Sequence, residues 1–433
     1  MQDDCLTALE ALHHIILYRQ TASQAFLTAR QGGQWQAALS LLINEAEAWG
    51  LQGNIFRQAV IKSLLLDENV YSYACERGHM AENASLRALA LMDMAVLFRL
   101  ISLSPAELWP EAGHEIVSLI ADYQPVQTAE STPLHRIVRQ LEGAASPEAL
   151  LAGICAYYQD YGCGDVGRRP MLRYDEQDGL IAIENGDPVR IEHLIGYEQQ
   201  KQSLIDNTEA FLAGRPCNNA LLAGARGTGK SSLVKALANT YYAEGLRLIE
   251  ISRDQISLLP ALLKLIQDRG KRFILFLDDL SFDDFEIQYK HMKSLLEGSA
   301  EVRPGNVLFY ATSNRRHLIQ EKWSDKDGSV IMDGEIHASD TINEKLSLAD
   351  RFGLTLVFSK PTPGEYSQIV KGIAHREGLT LGEDFLQKEA MKWELNQKGL
   401  SGRTARQFID SLAGREDYRR PLDGQGGEYP CRY

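Results

Sequence analysis

Residues 224–231 read Gly-Ala-Arg-Gly-Thr-Gly-Lys-Ser and complete the pattern G-x-x-x-x-G-K-[ST] between an apolar run and an amphipathic run. In this pattern the glycines let backbone N–H groups turn inward around the β-phosphate of a nucleoside triphosphate. Lys230 would reach the β- and γ-phosphate oxygens, and Ser231 would ligate Mg²⁺. The alternative is a glycine turn that matches the pattern by chance. The predicted ATP contacts of this loop are Gly224, Ala225, Arg226, Gly227, Thr228, Gly229, Lys230, Ser231 and Ser232.

The composition and the net charge limit the classes to which the protein can belong. The chain has 433 residues, which is too long for one compact core and favours two or three domains. Apolar residues make up 44% and charged residues 24%, as in an ordinary globular protein. The formal charge of −13 argues against a large nucleic-acid-binding surface and favours protein partners.

The cysteines and the apolar runs indicate the expected compartment. Six cysteines, with no C-x-x-C pair and no spacing suited to zinc, favour free thiols in a reducing cytosol. The most apolar stretch, 89–102, is interrupted by Asp93 and Arg99, so it does not have the pattern of a membrane span. No basic flank followed by a long apolar core marks the N-terminus. We therefore expect a cytoplasmic protein that does not enter the membrane.

Residues 1–160 are expected to form an all-α N-terminal domain. Apolar residues recur there at spacings of three and four, and glycine and proline turn signals separate the runs. No catalytic motif lies in this region, so its expected role is recognition of a protein partner. The adjacent His13 and His14 would point about 100° apart on a helix, and we interpret them as ordinary helix residues.

The rest of the chain divides into four segments. Residues 161–190 contain short strand-like runs between turn signals and are interpreted as a linker. Residues 191–360 alternate β-rich apolar runs with amphipathic runs, which predicts a parallel sheet covered by helices. Residues 361–415 are expected to form a small helical lid, and the glycine-rich residues 416–433 a disordered tail. The five predicted strands cover 219–223, 246–251, 273–278, 307–313 and 354–358.

A second motif lies after the phosphate loop and reads Phe273-Ile274-Leu275-Phe276-Leu277-Asp278-Asp279, an apolar strand that ends in two carboxylates. It looks like a Walker B motif. Asp278 would enter the Mg²⁺ coordination shell, and Asp279 would orient or deprotonate the attacking water. The alternative is a core strand capped by a polar turn. Nearby, Ser281 and Asp284 form an S-x-x-D pattern, which predicts a capping box before a helix at 285–297.

A third apolar strand reads Val307-Leu308-Phe309-Tyr310-Ala311-Thr312-Ser313-Asn314 and ends in an amide side chain. With this strand the chain begins to resemble the AAA+ ATPases. In that family a polar residue at this place, usually Asn, is called sensor 1 and helps to position the attacking water. The resemblance assigns this role to Asn314. The alternative is a strand-terminal Asn that forms its own turn.

Two further stretches extend the resemblance. Residues 191–197 look like the segment that leads into the AAA+ core and lies over the adenine, which implies a nucleotide contact for Ile195. The alternative interpretation of residues 191–197 is the apolar end of a linker with no nucleotide contact. Arg351 stands where AAA+ proteins have an arginine finger, and it would reach the γ-phosphate held by a neighbouring subunit. Its alternatives are a salt bridge with Asp350 and a cation at a helix C-terminus.

The C-terminal region contains one more element of the resemblance. Arg403, with Arg406 one turn later as its substitute, stands at the place of the AAA+ sensor 2, and a solvated basic face is the alternative. The closest resemblance is to an uncharacterised bacterial family of AAA-type ATP-binding proteins, known mainly as a domain of unknown function. The strings that carry it are Asn218-Asn219-Ala220-Leu221-Leu222, Leu277-Asp278-Asp279-Leu280-Ser281 and Ala311-Thr312-Ser313-Asn314-Arg315-Arg316-His317-Leu318.

The resemblance implies a fold and a set of ligands. The implied fold is an α/β P-loop NTPase core of AAA+ type, with a five-stranded parallel sheet, a small C-terminal helical lid and an all-α N-terminal domain. The implied cofactors are ATP and Mg²⁺, with Ser231 and Asp278 as metal ligands. The implied catalytic residues are Asp279, Asn314, Arg351 and Arg403. If Arg351 acts in trans, the sites lie between subunits of a homo-oligomer.

One departure from the family pattern leaves the function open. Most AAA+ Walker B motifs end in Asp-Glu, whereas this chain has Asp278-Asp279, so the second carboxylate is shorter by one methylene. The leading hypothesis is an ATPase that remodels or loads a protein partner. The second is a nucleotide-dependent switch or scaffold with negligible turnover. The third is a nucleic-acid loader or motor, which Arg315, Arg316 and His317 suggest and the acidic balance disfavours.

Overall fold

The computed structural model describes residues 2–30, 35–79, 83–126, 132–280, 304–314, 351–379, 381–395 and 399–414. The described part before residue 161, which we call the helical region, is built from α-helices. None of the described helices is long and apolar enough to cross a membrane. The helices of this region are α1 (Gln2–Ala11), α2 (Arg19–Arg30), α3 (Trp35–Trp49), α4 (Ile55–Leu66), α5 (Val70–Glu76), α6 (Ala84–Ser102), α7 (Pro105–Leu108), α8 (His114–Ala121), α9 (Pro133–Leu141) and α10 (Pro147–Asp160).

The helical region packs around a core of its own. Trp109 is almost fully buried, meets Phe56 edge-on with ring centroids 5.7 Å apart, and donates from Nε1 to the carbonyl of Ala29 at 2.7 Å. Asp93, the acidic residue in the most apolar stretch, is also buried, and its carboxylate accepts hydrogen bonds from the backbone N–H groups of residues 16–18. Both polar groups are therefore satisfied inside an apolar core.

A seven-stranded sheet forms the centre of the molecule. Its strand order is β2-β1-β4-β5-β6-β3-β7, and all pairings are parallel except the β1–β2 hairpin. The strands are β1 (Met171–Asp175), β2 (Gly179–Ala182), β3 (Ala220–Gly224), β4 (Leu246–Glu250), β5 (Arg272–Leu277), β6 (Val307–Ser313) and β7 (Leu354–Phe358). The helices α11 (Glu198–Leu212), α12 (Lys230–Thr240) and α13 (Leu259–Ile266) follow the second, third and fourth of these strands.

The predicted α/β class, a parallel sheet covered by helices, is confirmed, but the predicted count of five strands is wrong. The five predicted strands are β3 to β7, and the sheet gains β1 and β2 from residues 161–190, for which the sequence predicts a linker with short strands. Met171 and Leu172 are buried because β1 pairs in parallel with β4. Short strands bounded by turn residues gave no sign of this pairing, since it depends on a partner about 75 residues away in the chain.

Three helices after the sheet form a small cluster that we call the lid. They are α14 (Pro363–Arg376), α15 (Glu383–Leu395) and α16 (Gly402–Ala413), and their buried apolar faces meet one another. Ser401 caps α16 by accepting from the backbone N–H of Thr404 at 3.1 Å. The start of α16 then lies against the phosphate loop, where the N–H of Arg403 donates to the carbonyl of Gly227 at 3.2 Å.

A buried ion pair joins the helical region to the sheet. Arg269, between α13 and β5, donates from Nε and Nη2 to the two carboxylate oxygens of Glu76 at 3.0 and 2.9 Å. The two side chains are 5% and 0% exposed. The N–H groups of Gly270 and Cys163 donate to the same carboxylate at 2.9 and 3.2 Å. The helical region is therefore packed against the base of the sheet as well as connected to it along the chain.

Candidate nucleotide-binding site

The phosphate loop joins β3 to α12 at the carboxyl ends of the parallel strands, where open α/β sheets bind their ligands. Gly224 has φ 145°, and a Cβ at this position would lie 2.0 Å from the carbonyl oxygen of Phe358 on β7. Gly227 has φ 76°, and its Cβ would lie 2.9 Å from Oγ of Ser401. Only glycine fits at these two places, because each combines a left-handed backbone with a close neighbour. These two glycines therefore allow the tight turn between β3 and α12.

Lys230 begins α12 and turns its side chain back into the loop. Its Nζ donates to the carbonyls of Gly224 and Ala225 at 3.1 and 2.7 Å and to Oδ1 of Asn314 at 3.2 Å. Burial lowers the pKa of Lys230 to about 8, since a charged amine is less stable away from water. The amine therefore lies at the centre of the loop and gains from any anion that enters it.

The predicted metal ligands lie in direct contact. Oδ1 of Asp278 accepts hydrogen bonds from Oγ of Ser231 at 2.6 Å and from Oγ1 of Thr312 at 2.5 Å. A hydroxyl and a carboxylate are oxygen donors of the kind that Mg²⁺ takes, usually together with phosphate oxygens and water. The donor set of Ser231 and Asp278 therefore fits magnesium at this place.

Asp279 is held in an unusual backbone conformation beside these ligands. It has φ 53°, the left-handed region that costs a residue with a Cβ about 1–2 kcal/mol. Its N–H donates to Oγ1 of Thr312 at 2.9 Å, its carbonyl accepts from Arg253, and its Oδ1 accepts from Nδ2 of Asn314 at 2.5 Å. These contacts fix the turn after β5 and aim the carboxylate of Asp279 at the amide of Asn314.

Thr312 is the residue that the sequence analysis missed. It lies on β6, is 2% exposed, and bonds both to the carboxylate of Asp278 and to the backbone of Asp279. Every residue of β6 is buried, so two consecutive polar residues, Thr312 and Ser313, stand out in a strand that is otherwise apolar. A buried hydroxyl needs a partner. That requirement is the sequence signal that could have identified Thr312.

The structure distinguishes the two candidate arginines of the lid. The backbone of Arg403 bonds to Gly227, and its positive charge is close enough to contribute to the lowered pKa of Lys230, after burial and Arg226. Arg406 instead donates to Glu377 at 2.8 Å and to Asp410 at 2.9 Å. Arg403 is therefore the lid arginine at the phosphate loop, and Arg406 is engaged within the lid.

Ile195 and Arg351 lie elsewhere. Ile195 packs against Gly372 on α14, and a Cβ added to Gly372 would lie 2.2 Å from Cδ1 of Ile195. Ile195 therefore joins the segment before α11 to the lid. Arg351 is exposed and precedes β7. Since β7 runs parallel to β3, Arg351 lies at the amino edge of the sheet, at least about 13 Å along the strands from the phosphate loop. The structure does not bring Arg351 to the phosphate loop of its own chain.

Several predicted features fall outside the described residues. They are the Ser281–Asp284 capping box with its helix at 285–297, the basic residues Arg315, Arg316 and His317, the acidic partner Asp350 of Arg351, and the tail 416–433.

Many solved structures match part of the chain. Two similar solved structures are the Thermotoga maritima RuvB Holliday junction branch migration motor and C. elegans PCH-2. The RuvB structure is 15% identical, covers 52% of this chain and 72% of its own, and has a TM-score of 0.33. The PCH-2 structure is 18% identical, covers 50% of this chain and 63% of its own, and has a TM-score of 0.34. No curated protein matches the chain.

The family resemblance inferred from the sequence is confirmed by a family model, described as a protein of unknown function (DUF815), that matches residues 168–416. The matched residues include the phosphate loop, the strand ends at Asp278 and Asn314, and the lid. Because this match extends over more than half of the sequence, the protein belongs to the DUF815 family.

Proposed function

We propose that the protein binds ATP with Mg²⁺ and hydrolyses it, and that this cycle remodels or loads a protein partner. One observation carries the proposal, a continuous chain of hydrogen bonds that links the phosphate loop to the ends of β5 and β6. It runs from Lys230 to Asn314, from Asn314 to Asp279, and through Thr312 to Asp278 and Ser231. This chain contains the loop lysine, both candidate Mg²⁺ ligands, the candidate general base and the amide beside it.

The binding step follows from the loop. Backbone N–H groups and the N-terminus of α12 favour the triphosphate, and Lys230 exchanges its carbonyl contacts for phosphate oxygens. Ser231 and Asp278 would hold Mg²⁺, which when bound neutralises charge on the phosphate oxygens. Thr312 fixes the oxygen of Asp278 that also contacts Ser231. In this arrangement the γ-phosphate would lie in front of Asp279 and Asn314.

The hydrolytic step is assigned to Asp279. Its carboxylate orients a water molecule and accepts its proton, while the water oxygen forms a bond to the γ-phosphorus and the bond to the bridging oxygen of ADP breaks. Asn314 holds the carboxylate in place. Arg403 stabilises the developing negative charge from the lid side. Arg351, at the far edge of the sheet, would complete the site of a neighbouring copy, which makes the active form a homo-oligomer.

A specific observation also favours the alternative of a nucleotide-dependent switch with negligible turnover. The carboxylate of Asp279 is short, and its Oδ1 is already bonded to Asn314. A small displacement from the reacting water lowers the rate steeply. In this alternative ATP binding alone sets the state of the protein, and hydrolysis has no role in the cycle.

Phosphate release and ATP binding, measured on the same variants, separate the two functions. An ATPase predicts steady phosphate release that falls at least 100-fold in Lys230→Ala and in Asp279→Asn, while Asp279→Asn still binds ATP. The control is Asp206→Asn, which makes the same chemical change on the surface of α11. ATP binding without release in the wild type would establish the switch, and no ATP binding would overturn both functions.

A further inference from the structure

An apolar groove lies on the surface of the helical region, far along the chain from the phosphate loop. It is bounded by α3 and by α8 with the residues that follow it, and it has a volume of about 740 Å³. Apolar side chains dominate its lining, and Leu119 is 67% exposed there. Clefts of about 300–1,000 Å³ that are lined mainly by apolar side chains, including clefts between helices, are typical of binding sites. The apolar residues that line it are Trp35, Leu39, Ile43, Ile116, Leu119 and Ile120.

The spacing of these residues fits an α-helix as occupant. On α3 the apolar residues Trp35, Leu39 and Ile43 form one stripe, which spans about 12 Å, or slightly more than two helical turns. On the other wall Ile116 and Leu119 stand one turn apart on α8. A groove with apolar side chains on both walls accepts an amphipathic helix that inserts side chains at i, i+3 or i+4, and i+7.

The charge of the walls indicates the chemistry of the partner. Residues 35–49 and 111–124 contain five acidic residues and no lysine or arginine. Glu45 is paired with Lys62, which leaves Glu47, Glu111, Glu115 and Asp122 as the acidic residues of these segments. Residues 1–160 as a whole contain 18 acidic and 9 basic residues, so most of the net charge of −13 lies in this part of the chain. An acidic surround attracts a basic segment and repels anionic lipid headgroups.

We propose that the groove between α3 and α8 binds an amphipathic helix of a partner protein, with Leu-type residues on its inserted face and Lys or Arg on its flanks. The inference rests on the proposed role of the helical region in recognising a protein partner. It assigns that role to one surface and gives the partner a sequence character. Trp35 lies in the groove, so an inserted helix also changes the environment of its indole ring.

The test is fluorescence anisotropy of a labelled model helix of leucine and lysine, repeated with a peptide that has glutamate in place of lysine. The full chain is expected to bind the lysine peptide at least tenfold more tightly than the glutamate peptide. Leu119→Arg, at an exposed position, should weaken binding at least tenfold, and Ile116→Arg serves as the second variant. The matched control is Leu265→Arg, which adds the same charge at an apolar side chain that is 42% exposed on α13.

The proposal is overturned if neither peptide binds, or if the two peptides bind equally tightly. It is also overturned if Leu119→Arg and Leu265→Arg lose the same amount of peptide affinity. A fourth contrary outcome is a change of oligomeric state in Leu119→Arg without loss of peptide binding. The last would make the groove a contact between copies of this chain. Lys230→Ala, which tests the ATPase, should bind the peptide as the wild type does. Failure of the proposed ATPase and failure of the proposed helix binding can therefore be distinguished.

Discussion

At the scale of single residues, the site depends on side chains that bond to each other across strands. Sequence spacing predicted Lys230 and Ser231, because one short loop contains them both. It also predicted Asp278 and Asn314, since each ends an apolar strand. The polar end of β6 indicates that Thr312 needs a buried partner, but which partner it has depends on the register of β6 beside β5, where Leu277 pairs with Ala311. Register is a property of two strands together, and a single run of residues does not contain it.

Thr312→Val should slow ATP hydrolysis by about 10- to 100-fold and weaken the protein by about 1–2 kcal/mol. Valine keeps the shape of threonine but leaves the N–H of Asp279 and the carboxylate of Asp278 each without one buried partner. The turn that aims Asp279 then loses a contact that offsets its left-handed backbone. Steady-state ATP hydrolysis and denaturant unfolding measure the two effects.

Thr312→Ser is the control, because it keeps the hydroxyl and removes only a methyl group. It should retain most of the activity that Thr312→Val loses. If both variants hydrolyse ATP at the wild-type rate, Thr312 does not position the carboxylates.

At the scale of elements, the arrangement of the lid could be predicted only in part from the sequence. The sequence predicted that α16 would contribute an arginine, but it left Arg403 and Arg406 as alternatives. The structure separates them because α16 approaches the loop with its first turn, so only residues near Ser401 face Gly227. The direction from which a helix approaches is a tertiary property, and the spacing of charges along the helix is the same for both arginines.

Two glycines of the loop test this contact between lid and loop. Gly227 and Gly229 both have left-handed backbones, with φ 76° and 88°, but a Cβ at Gly227 meets Ser401 whereas one at Gly229 meets nothing within 4 Å. Gly229→Ala should therefore incur only the backbone cost of about 1–2 kcal/mol. Gly227→Ala should incur that cost and also displace the start of α16. We expect it to be the less stable of the two by about 1 kcal/mol or more, since the lid must give way around the new methyl group.

The unfolding temperatures of the two variants should be compared with each other. Both variants have the same backbone cost, so a difference between them reports the contact between lid and loop. A second readout is protease cleavage within the lid, which should increase in Gly227→Ala alone. Equal unfolding temperatures and equal cleavage would mean that the lid does not rest on the loop.

At the scale of the whole molecule, the helical region and the sheet are joined more closely than the sequence indicated. The sequence predicts a linker between them, whereas Glu76 on α5 and Arg269 before β5 form a buried pair across 193 residues of chain. Neither residue lies in a motif, and a contact of such sequence separation leaves no local pattern. The fold of each part was predictable from periodicity, and their junction was not.

Arg269→Met should destabilise the protein by about 3–5 kcal/mol at pH 7, since it leaves the Glu76 carboxylate buried without its cation. Burial alone would raise the pKa of Glu76, but the guanidinium of Arg269 outweighs it and holds this pKa below its ordinary value. In the wild type, stability from this pair is present above the unfolded pKa of about 4.3 and is lost as the pH falls through the lower folded value.

The stability of Arg269→Met should depend on pH in the opposite direction. This difference distinguishes loss of the ion pair from loss of packing alone. Without the guanidinium, burial raises the folded pKa of Glu76, so stability is present below about pH 4.3 and falls as the pH rises through the raised value. The difference between wild type and variant should therefore grow from pH 4 to pH 7 in denaturant unfolding. Glu76→Gln combined with Arg269→Met removes the titrating group and should recover stability at pH 7. A penalty that is the same at both pH values, with no recovery in the double variant, would show that Arg269 contributes packing alone.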